Sequence, residues 1–271
     1  MRWKLICVDI DGTLLDDRKR LPQDAADSLR KAAETGIAVA LISGRMPAAV
    51  EMIEKELGFP CIKACSAGTY ILMGDRCISA AYLPISVMEE IDREIAKERG
   101  VPLWIYRERE WYVTKMDDVV RRETEIIGRN PIAADAGQLA RQWRQEGKGP
   151  NKLLFGAGEE TIRQIVRQLR EKNQGQADFA CSAPTYLEIY PKGVHKGQAL
   201  RAICRELGIR EEETIAFGDQ ELDIPMIEAA GAGVAMGNAI PALKERADFI
   251  TKTNNEGGIA FGLEHFLKDE D

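Results

Sequence analysis

Lys4-Leu5-Ile6-Cys7-Val8-Asp9-Ile10-Asp11-Gly12-Thr13 opens the chain with a short apolar run that stops on two acids and a glycine. Such a run reads as a buried strand feeding a loop. The residues that follow alternate in the same way. Pro22 opens a helical stretch with Ala25, Leu29, Ala32 and Ala33 on one face and Gly36 as its stop. Residues 36–42 (GIAVALI) form a second apolar strand. Pro47 starts another helix, with Val50, Ile53 and Leu57 at i, i+3 and i+7, ended by Gly58; a third strand falls near 61–65. Strand and helix in this rhythm predict a parallel sheet with right-handed crossovers.

Between about 69 and 190 the rhythm changes. Residues 70–73 and 76–81 flank Gly74-Asp75 as a hairpin, and 84–99 reads as a helix. Strands at 103–106 and 111–114 are joined by a charged turn, 107–110. A polar, glycine-rich stretch at 141–151 leads to strand 152–155, helix 159–172, and strands near 177–181 and 186–190. From Gly193 the first rhythm returns: helix 196–207, strand 214–217, helix 222–230, strand 233–235, helix 241–246, strand 248–250 and helix 258–267. The expected architecture is α/β. A doubly wound parallel-sheet, Rossmann-like core of residues 1–82 and 191–271 is interrupted by an inserted α+β domain, 83–190.

Composition narrows the function. The 271 residues are 45% hydrophobic and carry a net charge of −7, so a real core is available and the diffuse field is negative. That field argues against broad binding to nucleic acid or anionic membrane. No apolar run approaches the ~20 residues of a membrane span, and Asp9 cuts the first run before a signal segment is complete. Cysteines 7, 61, 65, 77, 181 and 204 form no C-x-x-C pair, and histidines stand only at 195 and 265. A Cys/His zinc site is therefore unsupported. Buried or half-buried thiols in a reducing compartment are expected, in a soluble, cytoplasmic protein.

Ligands of doubly wound sheets bind at the carboxyl ends of the strands. Polar residues stand at those ends here: Asp9 to Thr13 after the first strand, Ser43-Gly44-Arg45 after the second, and Gly218-Asp219 with Asp223 four residues on. Lys196 starts the helix that re-enters the core. D-x-D-G followed by Thr arises by chance in fewer than about one chain in a hundred of this length. An EF-hand does not fit, since its glycine belongs at the sixth loop position and Arg20 occupies the twelfth from Asp9. Phe155-Gly156-Ala157-Gly158-Glu159-Glu160 is a partial dinucleotide fingerprint, but it lacks the third glycine and places acids where pyrophosphate would lie. A glycine turn before a helix is the better reading.

These residues resemble the haloacid dehalogenase superfamily of phosphotransferases, in its Cof-type, sugar-phosphatase-like branch with a large inserted cap. The likeness rests on DIDGT (9–13), SGR (43–45), GVHKG (193–197), GDQELDIPM (218–226), AMGNA (235–239) and TKTNNEGGIA (251–260). It implies that Asp9 attacks phosphorus to form an aspartyl-phosphate. Asp11 would protonate the leaving alcohol and later take a proton from water. That role calls for a carboxyl protonated near neutral pH, which crowding by other carboxylates is expected to supply. By the same resemblance Thr13 would help orient the loop, Ser43 and the Gly44 N–H would hold phosphoryl oxygens, and Lys196 would offset their charge. The resemblance implies Mg²⁺ on Asp9 and Asp219, on the Asp11 backbone carbonyl, and on Asp223 mostly through water; the oxygen-only donor set agrees.

The chain departs from the family pattern at Leu222 and Ala67, where Asn is usual, and at His195, where Ser, Thr or Asp is common. Loss of the Asn at 222 implies slower or differently tuned turnover. His195 reads as a surface or capping residue. Trp104, Tyr106 and Trp111 read as strand packing before pocket lining, and Arg107, Arg109, Arg121 and Arg122 as solvated faces. The expected activity is that of a Mg²⁺-dependent phosphatase on a small phosphorylated metabolite, with sugar phosphates first and flavin mononucleotide or pyridoxal phosphate also open. A non-catalytic phospho-ligand binder and a phosphomutase or phosphotransferase stand as alternatives; carbon–halogen hydrolysis fits the residues less well.

Overall fold

The computed structural model describes residues 2–172 and 175–268. The chain divides into two units: Met1–Arg45, Ala49–Ser79 and His195–Asp271 form the first, and Met46–Ala48 with Ala80–Val194 form the second.

The first unit begins with β1 (Leu5–Val8), all four residues buried as an apolar run with helices on both faces demands. β2 (Ala38–Ile42) and β3 (Ile62–Cys65) follow, separated by helices Gln23–Glu34 and Pro47–Leu57. The first helix turns Ala25, Ala26, Leu29 and Ala32 inward, the 3.6-residue stripe legible in its sequence. β4 (Tyr70–Met73) and β5 (Arg76–Ala80) complete this side of the sheet.

The second unit contributes β6 (Trp104–Arg107), β7 (Glu110–Val113), β8 (Ile132–Ala133), β9 (Lys152–Gly156), β10 (Ala177–Ala183) and β11 (Tyr186–Pro191). They form one sheet in the order β10-β11-β9-β6-β7-β8, antiparallel except where β7 meets β8. Ile105, Leu153, Phe155, Leu187 and Ile189 pack into its core with Ile162 and Ile165 of helix Glu159–Lys172.

The chain then returns to the first sheet with β12 (Thr214–Gly218), β13 (Ala232–Ala235) and β14 (Phe249–Ile250). The eight-stranded order is β14-β13-β12-β1-β2-β3-β4-β5. β1 pairs in parallel with β12 on one side and β2 on the other, Val8 lying opposite both Phe217 and Leu41. Strands succeed one another away from β1 in one direction and away from β12 in the other. The topological switch therefore falls between them.

Several expectations are corrected. The sheet is mixed, since β4 runs antiparallel to β3 through a hairpin-like return. The stretch 141–151 is not wholly irregular: helix Ala136–Glu146 occupies its first half, with Leu139, Ala140 and Trp143 buried. Helix Asp118–Ile127 was not anticipated either. Arg107 is not on a solvated face, because its guanidinium lies 4.7 Å from the Trp143 ring and pairs with Glu146. Trp104, Tyr106 and Trp111 are buried against one another, the packing reading. Among the described cysteines, Cys77 and Cys181 are exposed and the rest buried. Among the described residues no helix is long and apolar enough to cross a membrane.

Candidate active site

Adjacent parallel strands lie about 4.8 Å apart, so residues just past the ends of β12, β1 and β2 are brought together by pairing alone. Asp219, Asp9 and Ser43 occupy those three positions, and each is buried. Helix Lys196–Leu207 starts with Lys196, itself 5% exposed. His195 caps that helix, its Nδ1 accepting from the Gln198 N–H at 3.4 Å, as a capping residue should.

The Lys196 ammonium donates to Asp9 Oδ1 at 2.5 Å and also to Asp223 Oδ1. The other Asp223 oxygen accepts the N–H groups of Asp219 at 3.0 Å and Gln220 at 2.9 Å, closing a tight turn after β12. Thr13 donates its hydroxyl to Asp219 Oδ1 at 2.8 Å, and Gln220 Nε2 donates to Asp219 Oδ2 at 2.9 Å. Gly12 is obligatory in this packing. Its φ is +85°, and a Cβ there would stand 2.5 Å from Asp219 Oδ2.

Ser43 Oγ accepts from the Arg45 N–H at 3.2 Å, and half-buried Gly44 lies in the turn between them. Arg45 reaches Asp11 with Nε to Oδ2 and a terminal nitrogen to Oδ1, both at 2.8 Å, and Lys19 Nζ adds a third contact at 2.8 Å. Arg45 stood in the quoted SGR motif without a role, and Lys19 was missed. The signal for Arg45 was available: a guanidinium two residues past Ser43, in the loop that leaves the strand beside β1.

Burial pushes the Asp9 carboxyl up to about 8; Lys196 opposes the rise, while Asp223 and Asp219 add to it. Burial likewise raises Asp219. For Lys196 burial acts against the charge, but Asp223 and Asp9 outweigh it and keep the amine protonated. Asp11 behaves oppositely to expectation. Burial would raise it, yet hydrogen bonds and charge from Arg45, then Lys19, hold it down at about 2. The loop aims Asp11 at two cations, and their pull, not the expected crowding by carboxylates, sets its state.

Asp9, Asp219 and Asp223 each offer an oxygen within 4.8 Å of the others. Three buried carboxylates with no nitrogen or sulfur donor fit Mg²⁺, a hard cation that takes a few carboxylates and keeps waters. They repel one another, and Lys196 pairs with two of them, Asp9 and Asp223, so a divalent cation also relieves the site's own electrostatics.

The haloacid dehalogenase-like hydrolase family matches residues 6–263. Among related proteins, the 5-amino-6-(5-phospho-D-ribitylamino)uracil phosphatase YwtE of Bacillus subtilis is 27% identical, over 98% of this chain and 99% of that protein. The HMP-PP phosphatase of Serratia proteamaculans is 28% identical, over 98% and 96%. The crystal structure of TM0651 from Thermotoga maritima superposes with a TM-score of 0.84 at 30% identity, covering 97% of each chain. A match running from β1 into the final helix spans every strand end that builds this site, and the chain belongs to the haloacid dehalogenase-like hydrolases, among their Cof-type phosphatases.

Proposed function

We propose that this Mg²⁺-dependent phosphatase hydrolyses a small sugar or polyol phosphate through an aspartyl-phosphate on Asp9. The observation that carries the reading is the buried meeting of Asp9, Asp219 and Asp223 with Lys196 at the ends of neighbouring strands. Bound Mg²⁺ supplies charge neutralisation for the phosphoryl oxygens and keeps Asp9 ionised. The phosphoribityl group in the YwtE name supports the substrate class.

The chain's own residues then divide the work. An Asp9 carboxylate oxygen forms the new O–P bond as the ester O–P bond breaks. Asp11 delivers a proton to the departing alkoxide, and later removes one from the water that attacks the aspartyl-phosphate. Ser43 Oγ and the Gly44 N–H hold phosphoryl oxygens, and Lys196 offsets their charge. Thr13 fixes Asp219 through the hydroxyl contact. Asp11 as seen, ionised between Arg45 and Lys19, is set for the water-activating half; the protonating half requires those cations to release it. We assign leaving-group choice to an inserted cap, residues 83–190. The buried thiols of Cys7, Cys61 and Cys204, outside any disulfide, support a cytoplasmic setting.

A panel of phosphorylated sugars, polyols and nucleotides, with and without Mg²⁺, tests the reading by kcat/KM. Asp9→Asn is expected to lose about 10³-fold or more. Turnover that survives this substitution removes Asp9 from the mechanism. Tight binding without turnover across the panel turns the reading toward a phospho-ligand binder, the alternative that Leu222 and Ala67 motivate.

A further inference from the structure

The segment after β13 makes contacts that the reaction described above does not use. Met236 N donates to Gly218 O at 3.0 Å and Ile240 N donates to Asp219 O at 3.0 Å, so residues 236–240 are tied to the loop that carries Asp219. Between those two anchors stands Asn238. Its Nδ2 donates to Gly12 O at 2.8 Å, on the loop that carries Asp9, Asp11 and Thr13. One short strap therefore grips both carboxylate-bearing loops, although Gly12 and Asn238 lie 226 residues apart in sequence.

The amide of Asn238 is in turn oriented. Its Oδ1 accepts the Asn254 N–H at 3.0 Å, which fixes which way its Nδ2 points. Asn254 is buried, and its own Nδ2 donates to Leu15 O at 3.0 Å and Asp17 Oδ1 at 3.1 Å, further along the same loop. Asn238 is exposed and contributes little to the core. Its contacts are spent on the Gly12–Thr13 peptide, which leads into the hydroxyl that holds Asp219. The clearance there is small, since even a methyl group on Gly12 would strike the Asp219 carboxylate.

We propose that Asn238, aimed by Asn254, is a positioning residue that sets the spacing between the Asp9–Thr13 loop and Asp219. The proposal rests on the phosphatase reading for its kinetic readout and on the carboxylate cluster alone for its metal readout. Misplacement of reacting groups by about an ångström costs on the order of 100-fold in rate. Donor loss at an exposed side chain leaves the core intact.

The test compares wild type, Asn238→Ala and Asn238→Asp, the last keeping the acceptor for Asn254 N–H but not the donor to Gly12. Calorimetric Mg²⁺ titration, steady-state kinetics on an aryl phosphate, and thermal melts are measured on each. In both variants Mg²⁺ affinity is expected to fall about 10-fold and kcat about 10- to 100-fold, with KM and the melting temperature nearly unchanged. Wild-type Mg²⁺ affinity and kcat in either variant overturn the proposal, as does a fall in melting temperature that accounts for the whole loss. Should wild type bind Mg²⁺ but turn nothing over, the phosphatase reading fails and Asn238 is judged on Mg²⁺ affinity alone.

Discussion

At the scale of one residue, Asp11 is the carboxylate whose state is governed by its neighbours. The bidentate Arg45 contact and the Lys19 amine stabilise its ionised form, which is why it lies near 2 and not at the ordinary 3.8. A lowered acid in the folded state adds stability that is fully present above the unfolded value of 3.8 and disappears as pH falls through about 2. With the partners 28% and 61% exposed, solvent screens most of that contribution. Arg45→Ala leaves Lys19 alone, so the Asp11 midpoint rises toward 3.8. A carboxyl ¹³C titration of wild type and variant measures it, and an unmoved midpoint refutes the clamp. On the proposed mechanism the ionised form activates water, so the acidic limb of kcat is expected to move to higher pH in the same direction. Arg45→Lys restores charge but not the two-pronged geometry, and is expected to fall between.

At the scale of the element, the strands of the second unit carry a charge pair where an apolar pair would be simpler. Lys152 on β9 and Glu188 on β11 are both buried, 3.1 Å apart, with the Tyr190 hydroxyl on the same carboxylate and the Lys152 amine 4.6 Å from the Tyr106 ring centre. Burial works to raise Glu188, but Lys152, Ser182 and Tyr190 outweigh it and lower it below the usual 4.5. The stability it gives is therefore present above 4.5 and is lost as pH falls below that value. Lys152→Ala strands a carboxylate and is expected to destabilise the chain by about 3–5 kcal/mol near neutral pH. At pH 4 the loss shrinks, since the stranded Glu188 takes up a proton. Denaturant melts at the two pH values decide it, and an equal loss at both rejects the pairing. Nothing in the sequence announced this pair, because a lysine and a glutamate 36 positions apart meet only through the antiparallel register of β9 and β11. The helices of this unit left local traces instead. Asp117 and Asp135 cap Asp118–Ile127 and Ala136–Glu146, and Gly128 and Gly147 end them. Those signals were overridden by the polar surface of short, mostly exposed helices.

At the scale of the molecule, the site was legible wherever chemistry coincided with a strand end. Asp9, Ser43 and Asp219 each follow an apolar run, and parallel pairing of β12, β1 and β2 does the rest. What the sequence left hidden are contacts set by loop direction: Arg45 and Lys19 pairing with Asp11, and Asn238 bridging two loops. The same gathering of acids is expected to make the stability of the fold depend on Mg²⁺. Without the cation, burial and carboxylate repulsion raise Asp9 from 3.8 to about 8, so the folded chain holds a proton that the unfolded chain has released. Stability from this group is thus full below 3.8 and is lost as pH rises through about 8. Mg²⁺ takes the place of that proton, so binding expels it and tightens as pH rises toward 8. At fixed Mg²⁺ the ligand term, about 2.7 kcal/mol when the cation is 100-fold above its Kd, therefore grows with pH. The Mg²⁺-induced rise in melting temperature is expected to be larger at pH 8.5 than at pH 6, and calorimetry in buffers of different ionisation enthalpy should register proton release at pH 6. Asp9→Asn removes the competing proton, and its Mg²⁺ affinity is expected to be weaker but nearly flat with pH. A wild-type affinity equally flat across this range would mean that Asp9 is ionised in the free protein, with Lys196 alone sufficient to hold the three acids together.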